Sequence, residues 1–383
     1  MIFLHTTHDS MCSSVTTKIL YTSIEMSESV QEGDCEKEVS PIKPVAIQES
    51  AFFTKYKSSY LSAITDFTLH ASFMTSAFYL VWLYKHSIVS VCMLPILSLL
   101  LNRTFVIFHD CCHQSYTPNK TLNYVLSHIT GFFVWTSPNW ILDHHTHHLT
   151  NGNIENAHHY FFNETVLLTK QQYLAKSFFQ RAIFAFYKHP LVFFTFIPLL
   201  YFGIAQRFVY ILKKYRHSHK YTPSLLAISF DHALNTIGSL CFLYGMYSCG
   251  LFYHYLVCFC TSSSLSFMMF HNQHSYNPAY VVKADAWTQK DSGLRGSAFL
   301  QVPWYLRYFL MGIEYHHIHH MNAKIPGYNL QNYHEEVVSK SDMFDTVHTI
   351  TFKEFFNNLW LALYDADTQS YISFQELSNK KIA

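Results

Sequence analysis

Nine histidines of this chain stand at spacings that can hold metal ions. Eight fall in three clusters, His109-Asp-Cys-Cys-His113, His144-His-Thr-His147-His148 and His316-His-Ile-His319-His320, and His274 of Phe270-His-Asn-Gln-His274 is a singleton. Read as helix, HxxxH sets two imidazoles at i and i+4, and HxxHH sets three at i, i+3 and i+4. Residues so spaced share one helix face, so each cluster is expected to present its rings to one point. A shell made almost wholly of imidazole suits iron, zinc, copper or nickel and is wrong for calcium or magnesium. A zinc ion takes four ligands, only three of them from protein when the site is catalytic. Nine histidines exceed one ion, and two ions would receive about four or five each, with room for a small molecule. A surface histidine tract would not repeat a face-sharing spacing three times.

The neighbours of these residues sort by geometry. His145 and His317 point about 100° away from the shared faces, which makes them packing residues or supports. Asp110, Asp143 and Glu314 stand beside the clusters. They could accept the second N–H of a ligating ring and fix its tautomer, or be plain interfacial charges. His271 is an alternative to His274, and Gln273 could hold a metal-bound water.

The elements that must carry these residues are apolar. The chain has 383 residues, 50% hydrophobic, 17% aromatic and only 13% charged, against about 25% charged in an ordinary soluble domain. Apolar segments cover residues 66–84, 87–108, 190–205, 225–247 and 251–270. A spanning helix needs about 20 residues, so the 190–205 segment falls short. The net charge of +1 gives no case for nucleic acid, and nine cysteines without a paired spacing read as reduced thiols rather than a disulfide framework. Residues 1–20 lack an apolar signal core, so the first span is expected to act as its own insertion signal. Residues 1–50 are polar, with Gln31-Glu-Gly-Asp-Cys-Glu-Lys-Glu38, and are expected to form a disordered tail. Residues 51–340 then make the membrane domain and 341–383 a C-terminal cytoplasmic tail with a helix.

Histidines that share ions must lie on one side of the bilayer. The first two clusters follow the second span closely, so the chain must cross an even number of times between His148 and His274. The segments from Leu225 and Leu251 supply two crossings, which leaves 190–205, with Pro190, Pro198 and Gly203, to lie in the interface or re-enter. Lys170, Lys176, Arg181, Lys188, Arg207, Lys213, Lys214, Arg216 and Lys220 crowd the histidine side, and the other side offers little beyond Lys85. The positive-inside rule then faces the metals to the cytoplasm. The expected fold is an all-α integral membrane protein of four transmembrane helices with a cytoplasmic helical cap over the histidines.

The order of clusters resembles the membrane fatty acid desaturases, with the greatest likeness to bacterial-type acyl-lipid desaturases of omega-6 (delta-12) character. The matching runs are His109-Asp-Cys-Cys-His113, His144-His-Thr-His-His-Leu-Thr-Asn-Gly-Asn153, Tyr187-Lys-His-Pro-Leu-Val192 and His316-His-Ile-His-His-Met-Asn-Ala-Lys-Ile-Pro-Gly-Tyr-Asn-Leu330. The likeness covers roughly residues 60 to 375. Cys112 departs from the family's usual glycine, and Asn156-Ala-His-His-Tyr160 lacks the Gly-Asp often found there. The resemblance implies a non-haem di-iron centre held by His109, His113, His144, His147, His148, His274, His316, His319 and His320. Those two irons would use O2 to remove two hydrogens from an acyl chain. It also implies two electrons from outside. With no dinucleotide fingerprint and no haem-binding HPGG in the chain, a separate b-type cytochrome or ferredoxin is expected.

The third box continues as Met321-Asn-Ala-Lys-Ile-Pro-Gly-Tyr-Asn-Leu330, which looks like the omega-6 group and implies conversion of oleoyl to linoleoyl in a membrane lipid. A hydroxylase or carotenoid ketolase on the same scaffold is the alternative, because the boxes specify the oxidant and not its fate; a zinc hydrolase or metal-stabilised receptor is a third. Asp231, His232 and Asn235 inside an apolar span either line a substrate tunnel or pack helices. Residues 365–376 imitate a calcium loop, but Ser370 stands where glycine is required. Lys380-Lys-Ile-Ala383 matches a dilysine retrieval signal, which points to the endoplasmic reticulum; were the source prokaryotic, the membrane would be the bacterial inner membrane.

Overall fold

The structure is a computed structural model that describes residues 53–155, 168–206 and 224–379. The N-terminal tail, the 156–160 run, the basic residues from Arg207 to Lys220 and the terminal dilysine lie outside the described residues.

Four long helices form the frame: α1 (Tyr60–Leu83), α2 (Ile88–Cys112), α6 (Leu225–Ser248) and α7 (Phe252–His274). Between them run α3 (Lys120–Phe133), α4 (Ile141–Thr150) and α5 (Phe178–Tyr187), and after them α8 (His316–Met321) and α9 (Gly327–Val338). Side chains start three of the long helices. Ser59, Ser87 and Ser224 accept hydrogen bonds from the first-turn amides of Ser62, Val89 and Ala227, satisfying donors that a helix start leaves open.

Of the four, α2 and α6 are both long and apolar enough to cross a membrane. The other two, 24 residues in α1 and 23 in α7, have the length but are more polar, with His70, Ser262 and Ser263 buried in them. A third candidate span is α5 together with Val192–Ala205, bent by 57° at the break; this run includes the short segment around Pro198. Its Phe193, Phe194, Ile197 and Phe202 pack against Phe108 of α2 and Phe267 of α7.

Lys85 in the α1–α2 turn donates to the carbonyl of Cys249 in the α6–α7 turn at 3.0 Å. Both turns therefore lie at one end of the frame, and the histidine-bearing ends of α2 and α7 lie together at the other. The chain between the first two histidine boxes dips away from that end and returns. Tyr255 Oη donates to the carbonyl of Phe133 at the end of α3 (2.7 Å). Asn235 Nδ2 donates to Thr136 O (3.0 Å) and Asn139 Nδ2 to Ile228 O (3.1 Å). The Asn235 amide supplies the partner that irregular buried backbone at Thr136 needs, and the Asn139 amide ties the return to α6. Of the polar residues in α6, Asn235 thus braces this return, and Asp231 accepts from Tyr124 Oη of α3 at 2.6 Å, with His128 Nε2 3.3 Å away.

Two small sheets correct the expectation of an all-α chain. Strands β2 (Phe299–Leu300) and β3 (Thr349–Ile350) pair in parallel; β1 (Leu168–Thr169), β4 (Leu361–Asp365) and β5 (Ser370–Ser373) make a three-stranded sheet with β4 central. They arise where the stretch beyond 340 packs back on the body. Asn277 accepts from the amide of Tyr371 (2.8 Å) and returns Nδ2 to its carbonyl (3.0 Å). Leu363, Ile372 and Leu377 close a small core with Tyr173.

Candidate metal centre

Four elements bring the histidines together. His109 lies in the last turn of α2, His113 caps it, α4 carries His144, His147 and His148, His274 is the last residue of α7, and α8 carries His316, His319 and His320. All nine are buried. Eight of them form two groups whose ligand atoms lie within 4.8 Å of one another: His109, His113, His144 and His319 in the first, His147, His274, His316 and His320 in the second. His148 stands between, its Nε2 3.1 Å from that of His144 and 2.9 Å from that of His319, with its ring stacked on His320 at 4.2 Å.

One expectation is corrected. The second and third boxes do not present their rings to one point; each divides its histidines between the two groups. Residues i, i+3 and i+4 share a face but sit about 5–6 Å apart along it, far enough for one helix to serve two centres.

The Nε2 atoms face one another: His109 and His144 at 3.0 Å, His147 and His274 at 3.0 Å, His147 and His320 at 3.2 Å, His274 and His316 at 3.0 Å. These contacts cannot all be hydrogen bonds. A neutral imidazole carries one N–H and one lone pair, and two of the tautomers are set from outside. His109 Nδ1 is 3.1 Å from the carboxylate of Asp110, and His274 Nδ1 donates to the carbonyl of Gly296 at 2.9 Å, so both turn a bare lone pair inward. His147 and His144 each face two other Nε2 atoms, and His113 Nε2 has no protein partner. Converging lone pairs are what a cation requires, and the donor set fits a metal of imidazole preference.

Burial holds His144, His147, His148, His316, His319 and His320 well below the ordinary histidine range, and their mutual repulsion adds to it. The rings are neutral at physiological pH, as ligands must be. Trp140 stacks on His144 at 4.3 Å, and Phe270 lies 4.8 Å from His147 and 5.0 Å from His274, so each group has an aromatic wall.

The supporting residues divide. Asp110 binds His109 with one oxygen and accepts from the amide of Gly327 at 2.6 Å with the other. Glu314 is buried, and burial pushes its carboxyl up to about 7 against the pull of Arg307 and Arg103. Its Oε2 has no protein partner and neither do the Nδ1 atoms of His316 and His320, so of the two alternatives for Glu314 it does not make a bond to those rings. Asp143 is half-buried one residue before His144. His145 is half-buried, its ring 5.6 Å from His113. His317 turns away to His334 Nδ1 at 3.3 Å. His271 Nε2 meets the carbonyl of Asn358 (2.9 Å), and Gln273 Nε2 donates to Ile313 O (2.8 Å), so both are engaged by backbone outside the groups.

Reasoning from sequence missed the Gly296 carbonyl and the Gly327 amide, because backbone partners leave no residue signature. A partial signal existed in the Ile325-Pro-Gly-Tyr-x-Leu330 run. A Cβ on Gly327 would lie 2.3 Å from Met311 O and one on Gly312 2.2 Å from Gly327 O, so the chains before and after the third box cross where only glycine fits. The calcium-like loop is the hairpin β4–β5. Lys170 Nζ lies 3.1 Å from both oxygens of Asp365 and 3.0 Å from Asp367, and Glu376 accepts from the amide of Ser373 at 2.6 Å. Its acids are already engaged by protein groups.

A family model described as fatty acid desaturase matches residues 71–352. A fatty acid desaturase of Bacillus subtilis (strain 168) is 28% identical over 281 residues, 73% of this chain and 76% of the relative. An sn-1 acyl-lipid omega-3 desaturase (ferredoxin) of Nostoc sp. (strain 36) is 40% identical over 53 residues, 14% of this chain and 15% of the relative.

Proposed function

The chain belongs to the fatty acid desaturase family, and from that premise we propose that it places a second double bond in a monounsaturated acyl chain, converting oleoyl to linoleoyl in a membrane lipid. As a desaturase it is an oxidoreductase that acts on lipid in association with a membrane. The observation that supports the oxidative chemistry is the pair of buried four-histidine groups, and the double-bond position rests on the omega-6-like run Met321–Leu330. The proposed metals are two irons, held by the nine histidines, with His148 as the ninth ligand between the groups. The all-imidazole donor set suits iron as well as zinc, and the family resemblance is what favours two irons.

The balance is one acyl CH2–CH2 unit, O2, two electrons and two protons giving CH=CH and two waters. Bound iron supplies the oxidising power. The protein's part is to keep the imidazoles neutral, to orient His109 through Asp110 and His274 through Gly296, and to close the rings off from water behind Trp140 and Phe270. The electrons come from a separate carrier, a b-type cytochrome or a ferredoxin; the name of the Nostoc relative supports an acyl-lipid substrate and a ferredoxin donor, though its stated position is omega-3. In the proposed topology α1, α2, α6 and α7 cross the membrane, with the histidines and both termini cytoplasmic, in the endoplasmic reticulum or a bacterial inner membrane.

Feeding labelled oleate to desaturase-deficient yeast that expresses the chain tests the reaction. Labelled linoleate in phospholipid is the expected product. Desaturation of stearate alone refutes the position and keeps the chemistry, whereas a hydroxylated or ketolated product moves the chain to another oxidation on the same scaffold. Metal analysis should return two irons per chain, and one ion, or mainly zinc, overturns the di-iron reading. Tags at residue 30, near residue 215 and at residue 380 should be reachable from the cytoplasm and one near Lys85 should not.

A further inference from the structure

Away from the histidines, one carboxylate and one guanidinium tie together the segments that flank two different boxes. Arg103, 3% exposed, lies on α2 six residues before His109. It donates Nη2 to Asp66 of α1 and Nη1 to the carbonyl of Tyr308, and its guanidinium sits 4.2 Å over the Tyr308 ring. The other oxygen of Asp66 accepts from Tyr116 Oη at 2.9 Å. Tyr116 follows the first box by three residues, and its carbonyl accepts from Tyr328 Oη at 2.9 Å. Asp66 and Arg103 therefore reach the chain after the first box and the chain on both sides of the third.

The path from Tyr308 to His316 is short and stiff. It turns through Met311 and Gly312, both at positive φ (51° and 83°), where Gly312 passes against the carbonyl of Gly327. Tyr315 N then closes onto Gly312 O at 2.9 Å. A shift at Tyr308 has little slack to absorb it before the third box.

We propose that the Asp66–Arg103 pair positions the third histidine box against the first, so that its rings meet both groups. Replacing a buried ion pair by apolar side chains of similar volume is often neutral or stabilising, so stability alone does not account for a forked arginine aimed at one carbonyl. The third box supplies His319 to the first group but His316 and His320 to the second. Loss of register therefore strips two of four ligands from the second group and one from the first.

The inference rests on reading the two groups as metal sites, and the test separates the two. Full-length protein in detergent is stripped, titrated with Fe(II), and its metal per chain counted alongside its melting temperature. Wild type should take up two; if it takes fewer, the metal reading fails and the pair is not at issue. The double variant Asp66→Leu/Arg103→Met should insert and melt as wild type yet bind about one iron. Arg103→Lys, whose ammonium keeps the charge but not the planar fork of the guanidinium, should be intermediate. Tyr116→Phe, which removes only one hydroxyl, should keep its fold and weaken the second iron by a few-fold. A double variant that binds two irons with unchanged affinity overturns the proposal, and so does equal loss from both groups.

Discussion

Both histidine groups draw on α4 and α8 and part company at the remaining element: α2 supplies His109 and His113 to the first, α7 supplies His274 to the second. They also differ in what stands behind the rings. His109 is oriented by the carboxylate of Asp110, His274 by the neutral carbonyl of Gly296. A carboxylate raises the basicity of the ring it binds, so ligands of one chemical type are made unequal by what their far nitrogens touch. The first group is accordingly expected to hold its metal more tightly.

The largest test of that comparison removes a ligand from each side. His109→Ala and His316→Ala should each abolish desaturation while the chain still inserts, and each should leave about one metal per chain; retention of two metals in either would remove that histidine from the ligand set. Next in size, Asp110→Ala should weaken the first metal by about 10–100-fold, the usual cost of losing such a support, and leave the second unchanged in the same Fe(II) titration. Equal weakening of both would show that Asp110 acts through Gly327 and α9 instead of through His109.

Acid should release both metals in one window. The six rings of α4 and α8 have folded pKa values below the ordinary 6.5. Above that pH folded and unfolded chains bind the same number of protons on them. Below it the unfolded chain takes up protons that the folded one resists, so stability falls as pH drops from about 6.5, and protonation competes with metal in the same direction. Metal retention followed from pH 7.5 to 5 should be flat and then fall; loss on raising the pH would contradict the neutral-ring assignment. The smallest effects belong to the off-face residues. His145→Ala and His317→Ala should cost less than about tenfold in activity, and a loss equal to that of their neighbours would place them among the ligands.

The histidines were legible because helix arithmetic is local. HxxxH and HxxHH place rings on one face whatever the rest of the chain does, and His145 and His317, which break that spacing, also leave the two groups. The C-terminal acids, whose spacing imitates a calcium loop but lacks its glycine, are instead engaged by Lys170 from 195 residues away. The four long apolar segments likewise became four long helices, since chain length and hydropathy are written residue by residue.

What the tertiary structure alone decided is how the boxes divide. His148 meets His319 across 171 residues and His147 meets His274 across 127, and no local spacing states which Nε2 will face which. The choice of His274 over His271 followed from the end of α7, where one ring turns to the histidines and the other to the carbonyl of Asn358. The folding back of residues beyond 340 depended on Asn277 and on two-residue strands too short to leave a period in the sequence. Which side chains gather was determined by composition and helix geometry; which rings face one another was determined by long-range packing, because the backbone groups and distant side chains that orient each ring belong to other parts of the chain.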